Sequence, residues 1–169
     1  MVLGFTQTYD GKPTNFIEKI GDNIKIHTLR EDKNDRWKQG RLIQFSTGVR
    51  TKKYKQHYEK VCTGIQNVHI TLPFTKIIPF AADMNIYING ELLNPLENHS
   101  FILNDGFTNE LDFMRWFFYE KKKNRGKITW KQKTDTWRGK IIHWTQLRYQ
   151  TNNPIVVQNS GQHIMFQCD

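Results

Sequence analysis

The residues Lys25-Ile26-His27-Thr28-Leu29-Arg30 place an amine, a hydroxyl and a guanidinium within six positions of one another. Each group has a distinct use. A threonine hydroxyl becomes a nucleophile only when a base removes its proton. A lysine amine can act as that base only where burial or nearby positive charge lowers its pKa, and His27 and Arg30 are the neighbours able to supply such charge. Arg30 alone suits a phosphate or a base edge, because its planar fork matches oxyanion geometry. It could equally pair with Glu31, Asp32 or Asp105. The spacing imposes a condition: residues three apart on a regular strand point to opposite faces. Lys25 and Thr28 therefore share a site only if the chain bends between them, or if Lys25 precedes the strand. Gly21-Asp22-Asn23 makes a bend possible there and offers backbone N–H groups to an oxyanion.

The elements that must position these groups follow from periodicity and breakers. Thr14 or Asn15 can cap a short helix through Ile20, with Gly21-Asp22-Asn23 ending it. Residues 24–30 read as a bend into a strand, Arg41–Ser46 as a short strand, and His57–Leu72 as one long strand with an irregularity at Gly64. Asn89-Gly90, between Asn85–Ile88 and Glu91–Leu93, is a hairpin signal, since both residues accept the positive φ of a type I′ turn. Thr108–Lys123 carries the clearest helical spacing, through Leu111, Met114 or Arg115, and Phe118. Ile128–Trp130 and Lys140–Tyr149 read as strands, and Ile155–Gln158 with His163–Gln167 as a last hairpin. Many short strands with one short and one longer helix (about 108–123) give an α+β, mainly β class. A single domain is expected over 1–169, of a size that buries most of its apolar surface.

The charge is uneven. The chain carries +9, and residues 121–140 hold nine Lys and Arg against Asp135 alone, a local excess of +8. That block contains Lys122, Arg125 and Lys131 and interleaves Trp130 and Trp137. A weaker cluster joins Arg50, Lys52 and Lys53 to Tyr54 and Tyr58. Cations alternating with aromatics suit single-stranded or structured RNA, with phosphates on the cations and unpaired bases on the rings. No helix-turn-helix or zinc-finger pattern points to duplex DNA. An interaction module for acidic protein partners is the bland alternative.

The composition narrows the class further. No apolar run reaches the length of a membrane span, and no secretory leader pattern opens the chain. Two distant cysteines, Cys62 and Cys168, fit a reduced, cytoplasmic protein. The six histidines are scattered without metal spacing, so neither a metal nor another cofactor is expected.

The order of the segments Lys25-x-x-Thr28-x-Arg30, Trp37-Lys38-Gln39-Gly40 and Gly48-Val49-Arg50-Thr51-Lys52 resembles the ASCH family of PUA-like β-barrels. Asp105-Gly106-Phe107 and Gly139-Lys140-Ile141-Ile142-His143-Trp144 extend the likeness. It covers roughly 16–72 and 101–149 and leaves 73–100 as an inserted hairpin and 150–169 as a C-terminal extension. The resemblance implies a PUA-like barrel that binds RNA or a modified nucleoside or nucleotide. Arg30, Trp37, Arg50, Lys52, Lys53, Lys122, Arg125 and Lys131 are then the candidate nucleic-acid ligands. One branch of the family implies an amidohydrolase acting on N-acylated cytidine, with Thr28 as nucleophile, Lys25 as base and Asp105 where that branch carries a glutamate. A ribonuclease activity is a further possibility that the family leaves open.

Overall fold

The computed structural model describes residues 1–74, 83–124 and 127–149. The chain opens with β1 (Val2–Gly4), then a tight hairpin of β2 (Thr8–Tyr9) and β3 (Lys12–Pro13), turned at Asp10-Gly11, both at positive φ. Helix α1 (Phe16–Gly21) buries Phe16, Ile17 and Ile20; Asn15 precedes it in the left-handed region and makes no side-chain cap. β4 (His27–Arg30), β5 (Leu42–Thr47), β6 (Lys55–Val61) and β7 (Gly64–Thr71) follow, then β8 (Asn85–Ile88) and β9 (Glu91–Leu92). A 3-10 turn at Pro95–Glu97 leads into α2 (Asn98–Asn104) and α3 (Glu110–Phe118), and β10 (Tyr119–Asn124), β11 (Lys127–Gln132) and β12 (Thr136–His143) complete the described elements.

These strands make a three-stranded sheet ordered β1-β5-β6, a five-stranded antiparallel sheet ordered β4-β12-β7-β8-β9, and the ribbons β10-β11 and β2-β3. The fold is α+β and mainly β. Among the described residues no sheet closes into a barrel, so the barrel expected from the resemblance is not seen as a closed ring of hydrogen bonds. Ile43, Phe45, Ile70, Ile86, Phe113 and Ile141 are fully buried and typify the core between the sheets and α2–α3.

The expected helix over 108–123 is too long. Asn109 caps α3 through its side chain onto Asp112 N, and the helix stops at Phe118, where the apolar spacing ends; Tyr119 is already extended. Lys121–Lys123 then form strand, paired with Trp130, Thr129 and Ile128 of β11. The expected single strand over 57–72 is two. The chain leaves one sheet at Val61, buries Cys62, and enters the other at Gly64, with Thr63 N donating to His143 O at 2.9 Å. The strand expected over 140–149 begins earlier, at Thr136, and ends at His143, after which Trp144 and Tyr149 turn into the core. Asn89-Gly90 forms the expected turn, with φ of 52° and 95°. Its strand β8 lies inside the five-stranded sheet, with Ile86 and Ile88 fully buried. The hairpin expected over 155–167 lies outside the described residues.

Candidate functional site

Lys25 precedes β4, so strand alternation does not separate it from Thr28. The turn after α1 sets it: Ile24 N and Lys25 N both donate to Lys19 O, at 2.8 and 2.9 Å, and Ile26 N donates to Asn104 O at 3.0 Å. That last bond ties the start of β4 to the end of α2, where Asp105 follows. Thr28 and Arg30, two apart on β4, share a face. Lys25, Thr28, Arg30 and Asp105 consequently border one cavity of about 20 Å³, walled by Phe5 and Phe107. This is room for roughly one water or one ligand atom.

Lys25 is 1 % exposed. Its Nζ donates to Asp105 Oδ1 at 2.8 Å and to the Asp105 carbonyl oxygen. The faces of Phe16 and Phe5 lie 4.8 and 5.8 Å from the amine and add a favourable field. Burial pushes the amine down from 10.5 to about 8; attraction to Asp105 resists this and repulsion from Arg30 and Lys19 assists it. Burial pushes the Asp105 carboxyl upward, against the pull of Lys25 and Arg30 and the N–H of Leu29, which donates to Oδ1 at 3.2 Å. No hydrogen bond joins Lys25 to Thr28 among the described residues.

An acid immediately before α3 would ordinarily be explained by the positive end of that helix. Asp105 instead follows the last residue of α2, with its N–H on Phe101 O. There it faces the negative end of α2, an unfavourable place for a carboxylate. Its partners are Lys25 and Leu29 N–H, not a helix start. Gly106, at φ +88°, completes the arrangement; a Cβ there would stand 2.9 Å from the Lys25 side chain.

A second buried shell stands behind Asp105. His27 is fully buried, and its Nε2 lies 2.7 Å from the Tyr149 hydroxyl, which also accepts from Asn104 Nδ2 at 3.0 Å. Nδ1 of His27 has no hydrogen-bond partner among the described residues. Nδ1 stands 3.7 Å from Asp105 Oδ1. Burial, together with Lys25 and His143, holds His27 well below the usual histidine range, which keeps it neutral.

Arg30 makes no ion pair among the described residues. Its Nη2 donates to Gly4 O at 2.8 Å, its guanidinium lies 5.3 Å from the Phe5 ring, and its Nε has no partner. Arg30 also borders a larger cleft of about 450 Å³, walled by Trp116, Phe117, Trp137, Lys133 and Arg138. The small cavity shares Leu29, Arg30, Trp116 and Phe117 with this cleft, so the two adjoin.

The other expected ligands are placed differently. Trp37 is 4 % exposed and takes its place in the core, so it offers no face to a base. Its backbone N–H donates to Asp32 Oδ2. Arg50, Lys52 and Lys53 are exposed on the β5–β6 loop and line neither cavity. Lys122 is exposed and pairs with Glu120 at 2.9 Å, and Lys131 is exposed on β11. Arg125 lies outside the described residues. The basic block does reach the site, but through Lys133 and Arg138. The N–H groups expected to hold an oxyanion are consumed, since Asp22 N donates to Glu18 O and Asn23 N to Ile20 O. Sequence reading missed Trp116 and Phe117 because helical spacing marks them as ordinary helix positions. It missed His27 and Tyr149 as partners because they are 122 positions apart. Among the described residues no group of three His, Cys, Asp or Glu could hold a metal, and no helix is long and apolar enough to cross a membrane.

No family model, no curated protein and no solved structure matches this chain.

Proposed function

We propose that this protein binds RNA or a nucleotide in the cleft beside Arg30. The observation that carries the reading is the composition of that cleft: Arg30, Lys133 and Arg138, against the single carboxylate of Glu31, line about 450 Å³ together with Trp116 and Trp137. Three cations suit a phosphate, and half-buried indoles suit a base. The ASCH resemblance of the Lys25–Arg30 segment supports it. The test is titration with short RNA across a salt series. Three neutralised phosphates give a slope of log K against log salt of about −2, at about 0.7 per contact on a single strand. Arg138→Ala or Lys133→Ala each flatten that slope by about 0.7. Affinity indifferent to salt and to both substitutions would refute the reading.

One observation favours a second, hydrolytic reading: Lys25, Thr28 and Asp105 border the same small cavity, and Lys25 is the buried amine whose pKa is brought to about 8. The chemistry is removal of an acyl group from N-acylated cytidine. Lys25, as free amine, takes the Thr28 proton while Thr28 Oγ1 bonds to the acyl carbon. The C–N bond then breaks, and Lys25 returns the proton to the departing cytosine amine. Water hydrolyses the acyl-threonine to a carboxylic acid, restoring the hydroxyl. Asp105 orients the amine throughout. Incubation with acetylcytidine checks this, with chromatographic detection of cytidine; turnover that survives Thr28→Ala would sink the assignment.

A further inference from the structure

The outer face of the five-stranded sheet carries a row of side chains that the cleft does not use. Arg138 on β12 is directly opposite His69 on β7, and His69 is directly opposite Tyr87 on β8. Directly paired residues project to the same face, so guanidinium, imidazole and phenol stand in line across three strands. The opposite face of the same strands is filled by Val68, Ile70, Ile86 and Ile88. The His69 and Tyr87 rings are stacked, with centroids 5.7 Å apart and planes at 26°. His69 Nε2 lies 2.7 Å from Thr136 Oγ1, which fixes its ring orientation. Burial and the nearby Arg138 hold His69 below its usual range, so the ring is neutral near pH 7. The row floors a groove of about 360 Å³ with no carboxylate among its lining residues.

This groove meets the cleft. β4 stops pairing with β12 at Arg30 opposite Lys140, so Thr136–Gly139 has no strand on that side among the described residues. The cleft lies along that open edge, the groove lies on the sheet face behind it, and Arg138 borders both. We infer that a single-stranded RNA passes from the cleft over the open edge of β12 onto the sheet, where a second base stacks on the Tyr87–His69 pair and Arg138 holds the phosphate between the two bases. The inference rests on the nucleotide reading of the cleft and extends it from one nucleotide to a short strand. Duplex nucleic acid does not fit, because its bases are already stacked on one another.

The test compares uridine monophosphate with a uridine tetranucleotide by competition against a labelled oligonucleotide. The tetranucleotide is expected to bind at least about tenfold more tightly than the mononucleotide. Tyr87→Ala and His69→Ala are each expected to remove about tenfold of that gain and leave mononucleotide affinity unchanged; Tyr87→Phe retains it. Circular dichroism verifies folding, and His69→Ala carries the test if Tyr87→Ala unfolds. Mononucleotide binding without a length gain, or a gain that survives loss of either ring, overturns this inference alone. Failure of the mononucleotide to bind at all overturns the cleft reading and this one with it.

Discussion

Replacing Asp105 by Asn keeps the shape of the site and removes its one buried negative charge. Lys25 and Asp105 side chains are 1 % and 4 % exposed. Removing one partner of so buried a pair leaves an uncompensated charge, at about 3–5 kcal/mol. A separate limit comes from the amine itself. It can escape the penalty by giving up its proton, and holding it neutral at pH 7 against an ordinary pKa of 10.5 costs about 5 kcal/mol, at about 1.4 kcal/mol per pH unit. The two figures agree, so Asp105→Asn is expected to destabilise by about 3–5 kcal/mol at pH 7. For a chain of this length that lowers Tm by about 6–20 °C. The sign of the pH dependence is set by the amine. Its folded pKa is below its unfolded one, so the unfolded chain binds more protons and stability rises with pH in that interval. Because the wild-type amine also gives up its proton above about 8, the deficit of the variant should shrink by about 1.4 kcal/mol in total between pH 7 and 9. Urea unfolding at the two pH values measures both quantities. Lys25→Met with Asp105→Asn removes the buried charge altogether and should recover most of the lost stability, while abolishing any hydrolysis. A deficit below about 1 kcal/mol, or one equal at pH 7 and 9, would show that no charged amine is buried against Asp105.

The remaining predictions concern separate groups. His143 is fully buried with neither ring nitrogen bonded among the described residues, and burial brings its pKa from 6.5 to about 4. Unfolding releases that constraint, so His143 makes stability fall by about 3 kcal/mol as pH drops from 6.5 towards 4; His143→Phe should make this limb of acid unfolding curves shallower, the remainder coming from His27. If the protein hydrolyses acyl-cytidine with Lys25 as base, its rate rises with pH and levels off above about 8, where the amine is free; a pH–rate profile checks this. At Gly139 a Cβ would stand 2.4 Å from the Trp137 ring and 2.5 Å from Arg30 O. Gly139→Ala is therefore expected to cost about 1–3 kcal/mol and to weaken nucleotide binding by displacing Trp137, read by thermal unfolding and tryptophan fluorescence.

Much of this architecture was legible wherever a local pattern carried it. The Asn89-Gly90 turn, the bend into β4 and the helical spacing of α3 all follow from a few adjacent residues. The failures share a cause. Residues 119–123 continue a helical stretch, but pairing with Trp130, Thr129 and Ile128 draws them into a strand, a long-range contact that no spacing reveals. Residues 57–72 alternate well enough for one strand, yet their two halves belong to different sheets. Asp10-Gly11 turns the β2–β3 hairpin as Asn89-Gly90 turns β8–β9, but two-residue strands have almost no periodicity to mark them. At the site, the Lys25–Arg30 motif named three of the four groups that share a cavity. Within the basic block, Lys133 and Arg138 reach the cleft, Lys122 pairs with Glu120, and Arg125 lies outside the described residues.

Three unfavourable placements coincide where the cavity lies. A lysine and an aspartate are buried as a pair, where apolar side chains of similar volume would serve stability at least as well. The aspartate sits at the negative end of α2, against the helix field. Gly106, at φ +88°, leaves no room for a side chain because Lys25 occupies that space. Each placement works against stability, and each is needed for the next: the tight turn at Gly106 admits Lys25, Lys25 makes the carboxylate tolerable, and the carboxylate holds Lys25 beside Thr28 and Arg30. Selection for a stable sheet alone would not assemble this sequence of compensations. Its product is a set of polar groups, Lys25, Thr28, Arg30 and Asp105, around one small cavity that adjoins the cleft, and the nucleotide proposal rests on that arrangement.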